Sequence, residues 1–293
     1  MMENVIKKIG LLVLIVALLT ISSLVVAVIL SFGAGTTLAT GNVAVIPIEG
    51  VISNENPGFL ASGMDTQYIR DSIKRASEDS SIKAIVLEIN SPGGAPVASD
   101  EIGIAVKQAN KTTVAFIRDT GASGAYWIAS NAKYIIANRM SITGSVGVTA
   151  SYIDFAGTLA RFNATYEQLT GGQYKELGSQ FANLTPDERL LLQRKIDMLH
   201  EFFLSEVQQN RNLSNSTVQT ISTGEFYLGA EAIKLGLVDE LGSYPELDAY
   251  LTKKIGETPV YVTYEKPKGL LDSLYGLKQS LFPSTKTSLQ ITA

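Results

Sequence analysis

Two small-residue turns are the places where this chain could do chemistry. The first is INSPGGAPVASDEI (89–102), in which an extended run passes through Ser91-Pro92-Gly93-Gly94 into a helix-like stretch. Consecutive glycines let backbone N–H groups face outward, so such a turn can hold an oxyanion, a phosphate or a carboxylate. It is not a phosphate loop of the GxxxxGK[ST] type, because no lysine follows. The second is RDTGASGAYWIASNA (118–132), where Ser123 sits between an extended run and a helix-like one. A serine on a tight strand-to-helix turn is exposed for attack, and the N–H of the next residue, Gly124, can donate to the oxyanion. As an isolated pentapeptide G-A-S-G-A is weak, since Gly/Ala/Ser turns also start ordinary helices.

A serine nucleophile needs a base to take its proton. The one histidine, His200, falls among Ile196, Leu199, Phe203 and Val207 at apolar helical spacing, so it reads as a packed or rim residue. Lysine is the natural substitute, as in Ser-Lys variants of the triad. A lysine acting as base must be neutral, and lowering its pKa from about 10.4 to near 7 takes roughly 4–5 kcal/mol. Burial in an apolar site can supply a shift of that size. Spacing does not say which lysine it is.

The elements around these turns read as α/β. VAVIPI (43–48), AIVLEI (84–89), TVAFIR (113–118) and YIIA (134–137) are short β-branched runs, separated by helix-like stretches near 65–78, 96–110 and 123–131. Strands alternating with helices predict a parallel sheet with crossover helices. A long amphipathic helix opens at Thr185-Pro186 with acids in its first turn. Helical segments near 229–235 and 245–255 precede a last strand, VYVTY (260–264). After Pro267 comes an amphipathic stretch (270–282) and a polar end expected to be mobile.

Composition narrows the function classes. The 293 residues carry no cysteine, which excludes disulfides, thiol catalysis and cysteine-ligated metals. A single histidine excludes a multi-histidine metal site. The net charge of −4, without a basic stripe, argues against nucleic acid. Charge is scarce at the N-terminus: residues 1–48 hold only Glu3, Lys7 and Lys8. Leu11 to Gly33 is uncharged and long enough to cross a bilayer core, which takes about 20 apolar residues. The lysines before it place residues 1–10 in the cytoplasm and the bulk of the chain outside. A cleaved signal peptide is the alternative, but its apolar region is normally shorter, about 7–15 residues. The expected organisation is a cytoplasmic start (1–10), a transmembrane anchor (11–33), a linker (34–42), one catalytic-type domain (43–265) and a tail (266–293). Asn110, Asn163, Asn183, Asn212 and Asn215 lie in glycosylation triplets, a weak signal on its own.

With these residues in view, the chain resembles the signal peptide peptidase A family, the membrane-anchored serine proteases also called protease IV. The resemblance covers about residues 43–245 and rests on NSPGG (90–94), ASGAYWIAS (122–130), ITGSVGV (142–148), GGQYKELG (171–178) and FYLGAEAIKLGLVDELG (226–242), in family order. It implies the ClpP/crotonase-like fold, a spiral of ββα units. It implies Ser123 as nucleophile, Lys175 as general base, Gly94 and Gly124 as oxyanion-hole donors, and Ser145 as the residue that orients the lysine. It gives Asp239 no catalytic role and calls for no cofactor and no metal. Ala125 stands where the family usually has glycine and Trp127 where it has tyrosine; the first adds a methyl to a tight turn, the second could enlarge an apolar wall. A single copy of the domain matches the short form, which implies a homo-oligomeric ring in which the lysine reaches the serine across a protomer boundary. Peptide substrates, remnant signal peptides among them, follow from the same resemblance. The alternatives are a crotonase-type acyl-CoA enzyme, which the N-terminal anchor disfavours, and a non-catalytic extracytoplasmic scaffold of the same fold.

Overall fold

The computed structural model describes residues 10–11, 14–20, 22–23, 41–53 and 64–265. It divides into two compact units, residues 1–40 and 41–293. In the first, the described parts of the 11–33 stretch are helical, and its hydroxyls turn back on the helix: Thr20 donates to the Ala17 carbonyl at 2.8 Å and Ser22 to that of Leu19 at 3.0 Å. Back-bonding of this kind conceals a hydroxyl from an apolar surrounding. Among the described residues no helix is long and apolar enough to cross a membrane. Much of the expected anchor, most of the linker and the tail from residue 266 lie outside the described residues.

The second unit is an α/β sheet with helices on both faces. β1 (Val43–Glu49), β2 (Ala84–Ser91) and β3 (Thr112–Ala122) pair in parallel, from Val43 opposite Ala84 and from Ala84 opposite Thr112. β4 (Tyr134–Ala137) extends the sheet beside the first half of β3, and β5 (Ile142–Gly144) beside its end. β6 (Phe226–Leu228) lies antiparallel to β5, β7 (Glu240–Leu241) parallel to β4, and β8 (Tyr261–Thr263) parallel to β1. The parallel sheet and its crossover helices match the sequence reading, including all five strands expected from β-branched runs.

Alternation along the strands divides the core. Ala44, Ile46, Ile48, Ile85, Leu87, Ile89, Ala115 and Ile117 face one side. There they meet α1 (Thr66–Glu78), α2 (Pro96–Gln108) and α3 (Gly124–Ser130) through Ile69, Ile73, Ile102, Val106, Tyr126 and Ile128. Val43, Val86, Val114 and Phe116 face the other side, closed by Leu247 and Leu251 of α8 (Tyr244–Ile255). A sheet covered on both faces explains why β2 reads as an almost unbroken apolar run.

Between β5 and β6 the chain forms a short helix α4 (Ala156–Arg161), then α5 (Pro186–Arg211) and α6 (Asn215–Ile221); α7 (Gly229–Ala232) follows β6. Thr185 and Glu188 close a capping box on α5, and Asn212 ends it in the left-handed region at φ 50°. Only its second half is in the core, through Phe203 and Val207. No residue from 149 to 185 is buried.

The end of α5 is locked to the segment before β7. Arg211 donates to both oxygens of Asp239, at 2.6 and 3.0 Å, and to the Gly236 carbonyl at 3.1 Å. Asp239 in turn accepts the N–H of Ile135 at 2.7 Å. The Arg211 side chain is only 8% exposed, so its removal strands a half-buried carboxylate. Arg211→Ala is therefore expected to cost about 3 kcal/mol, read as a lower denaturation midpoint with an unchanged m-value.

Candidate active site

The site begins with a break in register. β2 and β3 run in step from Ala84 to Ile89, then slip so that Ser91 faces Gly121. A Cβ on Gly121 would stand 2.8 Å from Ile117 Cγ2, so a side chain there would have to displace the buried Ile117. Beyond the slip, β3 leaves β4 and pairs with β5, Ala122 opposite Gly144. This carries the chain out to Ser123 at the end of the strand.

Ser123 caps α3 with φ 54° and ψ −127°. Such a conformation is unfavourable for a residue with a Cβ, by about 1–3 kcal/mol, and persists where surrounding bonds enforce it. Here its N–H donates to the Gly144 carbonyl at 2.8 Å and its carbonyl accepts from the Trp127 N–H at 2.9 Å. Its hydroxyl makes no hydrogen bond to protein among the described residues, and the residue is half-buried.

The PGG turn is pressed against this serine. Gly93 holds φ 100°, and a Cβ on it would lie 2.8 Å from Ser123 Cβ and 2.7 Å from the Gly124 nitrogen. A Cβ on Gly124 would lie 2.3 Å from Ser99 Oγ and 3.2 Å from the Gly94 nitrogen. The turn itself is fixed: Ser91 Oγ accepts the Gly93 N–H at 3.1 Å, and Ile52 bonds to Gly93 and Ala95 on either side of Gly94. The N–H groups of Gly94 and Gly124 donate to no protein acceptor among the described residues. Two unspent donors therefore lie close together beside one serine, and donors so placed can hold an oxyanion.

Ser123, Gly94 and Gly124 open on one cavity of about 460 Å³. Its wall is apolar, built by Val97 of α2, Trp127 of α3, and Leu199, Phe202 and Phe203 of α5. The Trp127 and Phe203 rings lie 5.0 Å apart. Trp127 thus forms the apolar wall expected of it. Of the two effects open to the Ala125 methyl, narrowing the site or requiring a negative φ, the structure has the second: Ala125 is fully buried in the core, does not line the cavity and lies outside the positive-φ set.

A second cavity, of about 380 Å³, lies on the other side of Ser123 and contains Ser145, Asp197 and His200. Ser145, at φ 51°, donates its N–H to the Glu225 carbonyl at 2.9 Å and stands next to the Gly144 that holds Ser123. His200 is half-buried, as the sequence reading of a rim residue has it, and its Nε2 donates to the Val146 carbonyl at 3.1 Å. Lys175 lines neither cavity. It is exposed on a turn where its N–H donates to the Gly172 carbonyl at 3.2 Å. One chain therefore brings Ser123, Gly94, Gly124 and Ser145 together and leaves Lys175 apart on the 149–185 stretch.

Sequence reasoning missed Asp100, the ionisable side chain that lines the first cavity. Burial pushes its carboxyl up, the negative Glu206 and Glu101 push the same way, and hydrogen bonding from Trp127 opposes them. Its position four residues after Pro96 on a helix facing Ser123 was the available signal. The wall from α5 was missed because Leu199 and Phe203 read as ordinary core.

Comparison with known proteins bears on the whole of this unit. The family model for peptidase family S49 matches residues 105–256, and that for the N-terminal domain of NfeD1b matches residues 42–166. The first match contains Ser123, Ser145 and Lys175; the second adds Gly94. Over 247 residues the chain is 30% identical to a putative protease of Methanocaldococcus jannaschii, covering 77% of this chain and 79% of that one. It is 33% identical over 207 residues to protease 4 of Haemophilus influenzae, 70% of this chain and 33% of the relative. With a putative signal peptide peptidase SppA of Enterococcus faecium it shares 28% over 240 residues, 80% of this chain and 70% of that one.

Proposed function

The chain belongs to peptidase family S49 as a serine peptidase of the short signal peptide peptidase A form, and from that premise we propose that it cuts apolar peptides through an acyl-enzyme on Ser123. The observation that carries this reading is a strained serine beside two unspent N–H donors at the mouth of an apolar cavity. In the proposed reaction neutral Lys175 takes the Ser123 proton as Oγ attacks the scissile carbonyl. The carbonyl oxygen becomes an oxyanion held by the N–H groups of Gly94 and Gly124. Protonated Lys175 gives its proton to the leaving amine as the C–N bond breaks. Water then attacks the acyl-enzyme with Lys175 again as base, freeing the acid and regenerating Ser123. Ser145 orients the lysine from the adjoining cavity. No cofactor or metal enters these steps.

Delivery of Lys175 is proposed to come from a neighbouring copy in a homo-oligomeric ring. Support comes from the 149–185 stretch, which carries Lys175 and leaves Phe162 77% and Leu169 fully exposed. Exposed apolar side chains on an arm with no core of its own favour a protein partner. The domain, 43–265, is read as the ClpP/crotonase-like spiral, tethered by the 11–33 stretch with its catalytic face outside the cell membrane. Remnant signal peptides are the substrates this placement favours.

The test is covalent trapping. The full chain in detergent is treated with a peptidyl phosphonate that reacts only with an activated serine. A single adduct is expected, mapping to Ser123 by mass spectrometry. An adduct confined to another serine, or none on a preparation that hydrolyses peptides, overturns the assignment.

A further inference from the structure

Asp100 is the one ionisable side chain among the described residues that line the cavity beside Ser123. The rest of that wall is mostly apolar, with Trp127, Phe202 and Phe203 its aromatic members. No lysine or arginine among the described residues pairs with Asp100. Two basic side chains near it in sequence or on the adjoining helix pair elsewhere: Lys107 bonds to Glu206 at 3.2 Å and Asn210 at 3.1 Å, and Arg70 to Glu101 at 2.8 Å. Its position is nonetheless built. Trp127 lines the same cavity wall, and it is seated by Phe203 and by the absence of a side chain at Gly103, where a Cβ would stand 3.2 Å from the indole Cδ1.

Asp100 is only partly buried in the free chain, so its carboxylate keeps water; a side chain that fills the cavity removes that water, which is costly unless it brings a partner for the charge. A leucine side chain filling the cavity would exclude water from that carboxylate and give nothing back. A lysine or arginine does better: its methylene stem covers the apolar wall and its head reaches the carboxylate.

We propose that Asp100 is a specificity residue, and that the cavity accepts a substrate side chain with an apolar stem and a cationic head at the residue before the cut bond. This rests on the peptidase reading above and adds the substrate class to it. The opposite case is that Asp100 serves only to hold the Trp127 ring.

The experiment uses the full chain in detergent and three quenched fluorogenic peptides, identical except for lysine, norleucine or glutamate at that residue, with the cut position read by mass spectrometry. Wild type is expected to cut the lysine peptide at least as well as the norleucine one and far better than the glutamate one. Asp100→Asn is expected to lower the lysine-to-norleucine ratio of kcat/KM about 10- to 100-fold, the worth of a hydrogen bond to a charged group. Asp100→Lys is expected to turn the lysine-over-glutamate preference around. A ratio that stays within about 2-fold in Asp100→Asn, because all three peptides lose rate together, assigns the residue to holding Trp127 and overturns the proposal. Wild type that cuts the glutamate peptide as readily as the lysine one overturns it without any variant. Wild type that cuts none of the three overturns the peptidase reading, and this proposal with it.

Discussion

Ser123→Ala is expected to abolish peptide hydrolysis, with kcat falling by about 10⁴- to 10⁶-fold, the range seen when a nucleophile that works with its base as a unit is removed. Folding should hardly change, because the hydroxyl makes no protein hydrogen bond among the described residues and alanine keeps the same Cβ. The strain at φ 54° also stays. Ser123→Gly separates the two roles of the position. It removes the nucleophile as completely, yet releases the Cβ strain, and should raise stability by about 1 kcal/mol after glycine's greater unfolded freedom is counted. Kinetics with a fluorogenic peptide and urea melts on both variants check this. Full activity in Ser123→Ala would remove Ser123 from the chemistry. A Ser123→Gly chain less stable than the alanine variant would mean that the turn is not strained as its backbone angles indicate.

The serine turn was legible because its chemistry is local. A strand end, small residues and a following helix are neighbours in sequence, and the β-branched runs of β1 to β4 announce the sheet that holds them. The interlock of the two turns was not legible. Gly93 and Gly124 are 31 positions apart, and nothing in either turn says that a Cβ on Gly93 would strike the Gly124 nitrogen. The same holds for β5, β6 and β7. Strands of two or three residues have no readable alternation, and Gly144 takes its place from partners remote in sequence, Ala122 of β3 on one side and Phe226 of β6 on the other. Nothing local to Asp100 says that α5, about 100 residues on, supplies the other wall of its cavity. The identity of the base could not come from spacing at all. Lys175 was singled out by resemblance, and within one chain it sits on an exposed turn away from both cavities at Ser123.

That separation leads to the second large effect. Lys175→Ala is expected to reduce hydrolysis by at least about 10³-fold, as befits loss of the general base. Alone, that loss does not say which copy the lysine serves. Mixing does. Ser123→Ala and Lys175→Ala chains are each inactive, but if assembled together before assay they can place an intact serine beside an intact lysine from the neighbour. With equal amounts and random assembly in a closed ring, roughly a quarter of sites should be complete. Activity near that fraction of wild type, appearing only after the two chains are dissociated and reassembled together, is the expected result. It follows from the exposure of the arm: Phe162 and Leu169 lie open to water on the same stretch as a lysine that lines neither cavity at Ser123. An assembled mixture as inactive as its components would place the base in the same chain as the serine. In that case the 149–185 stretch must fold back over Ser123 when substrate binds, and the chemistry needs no neighbouring copy.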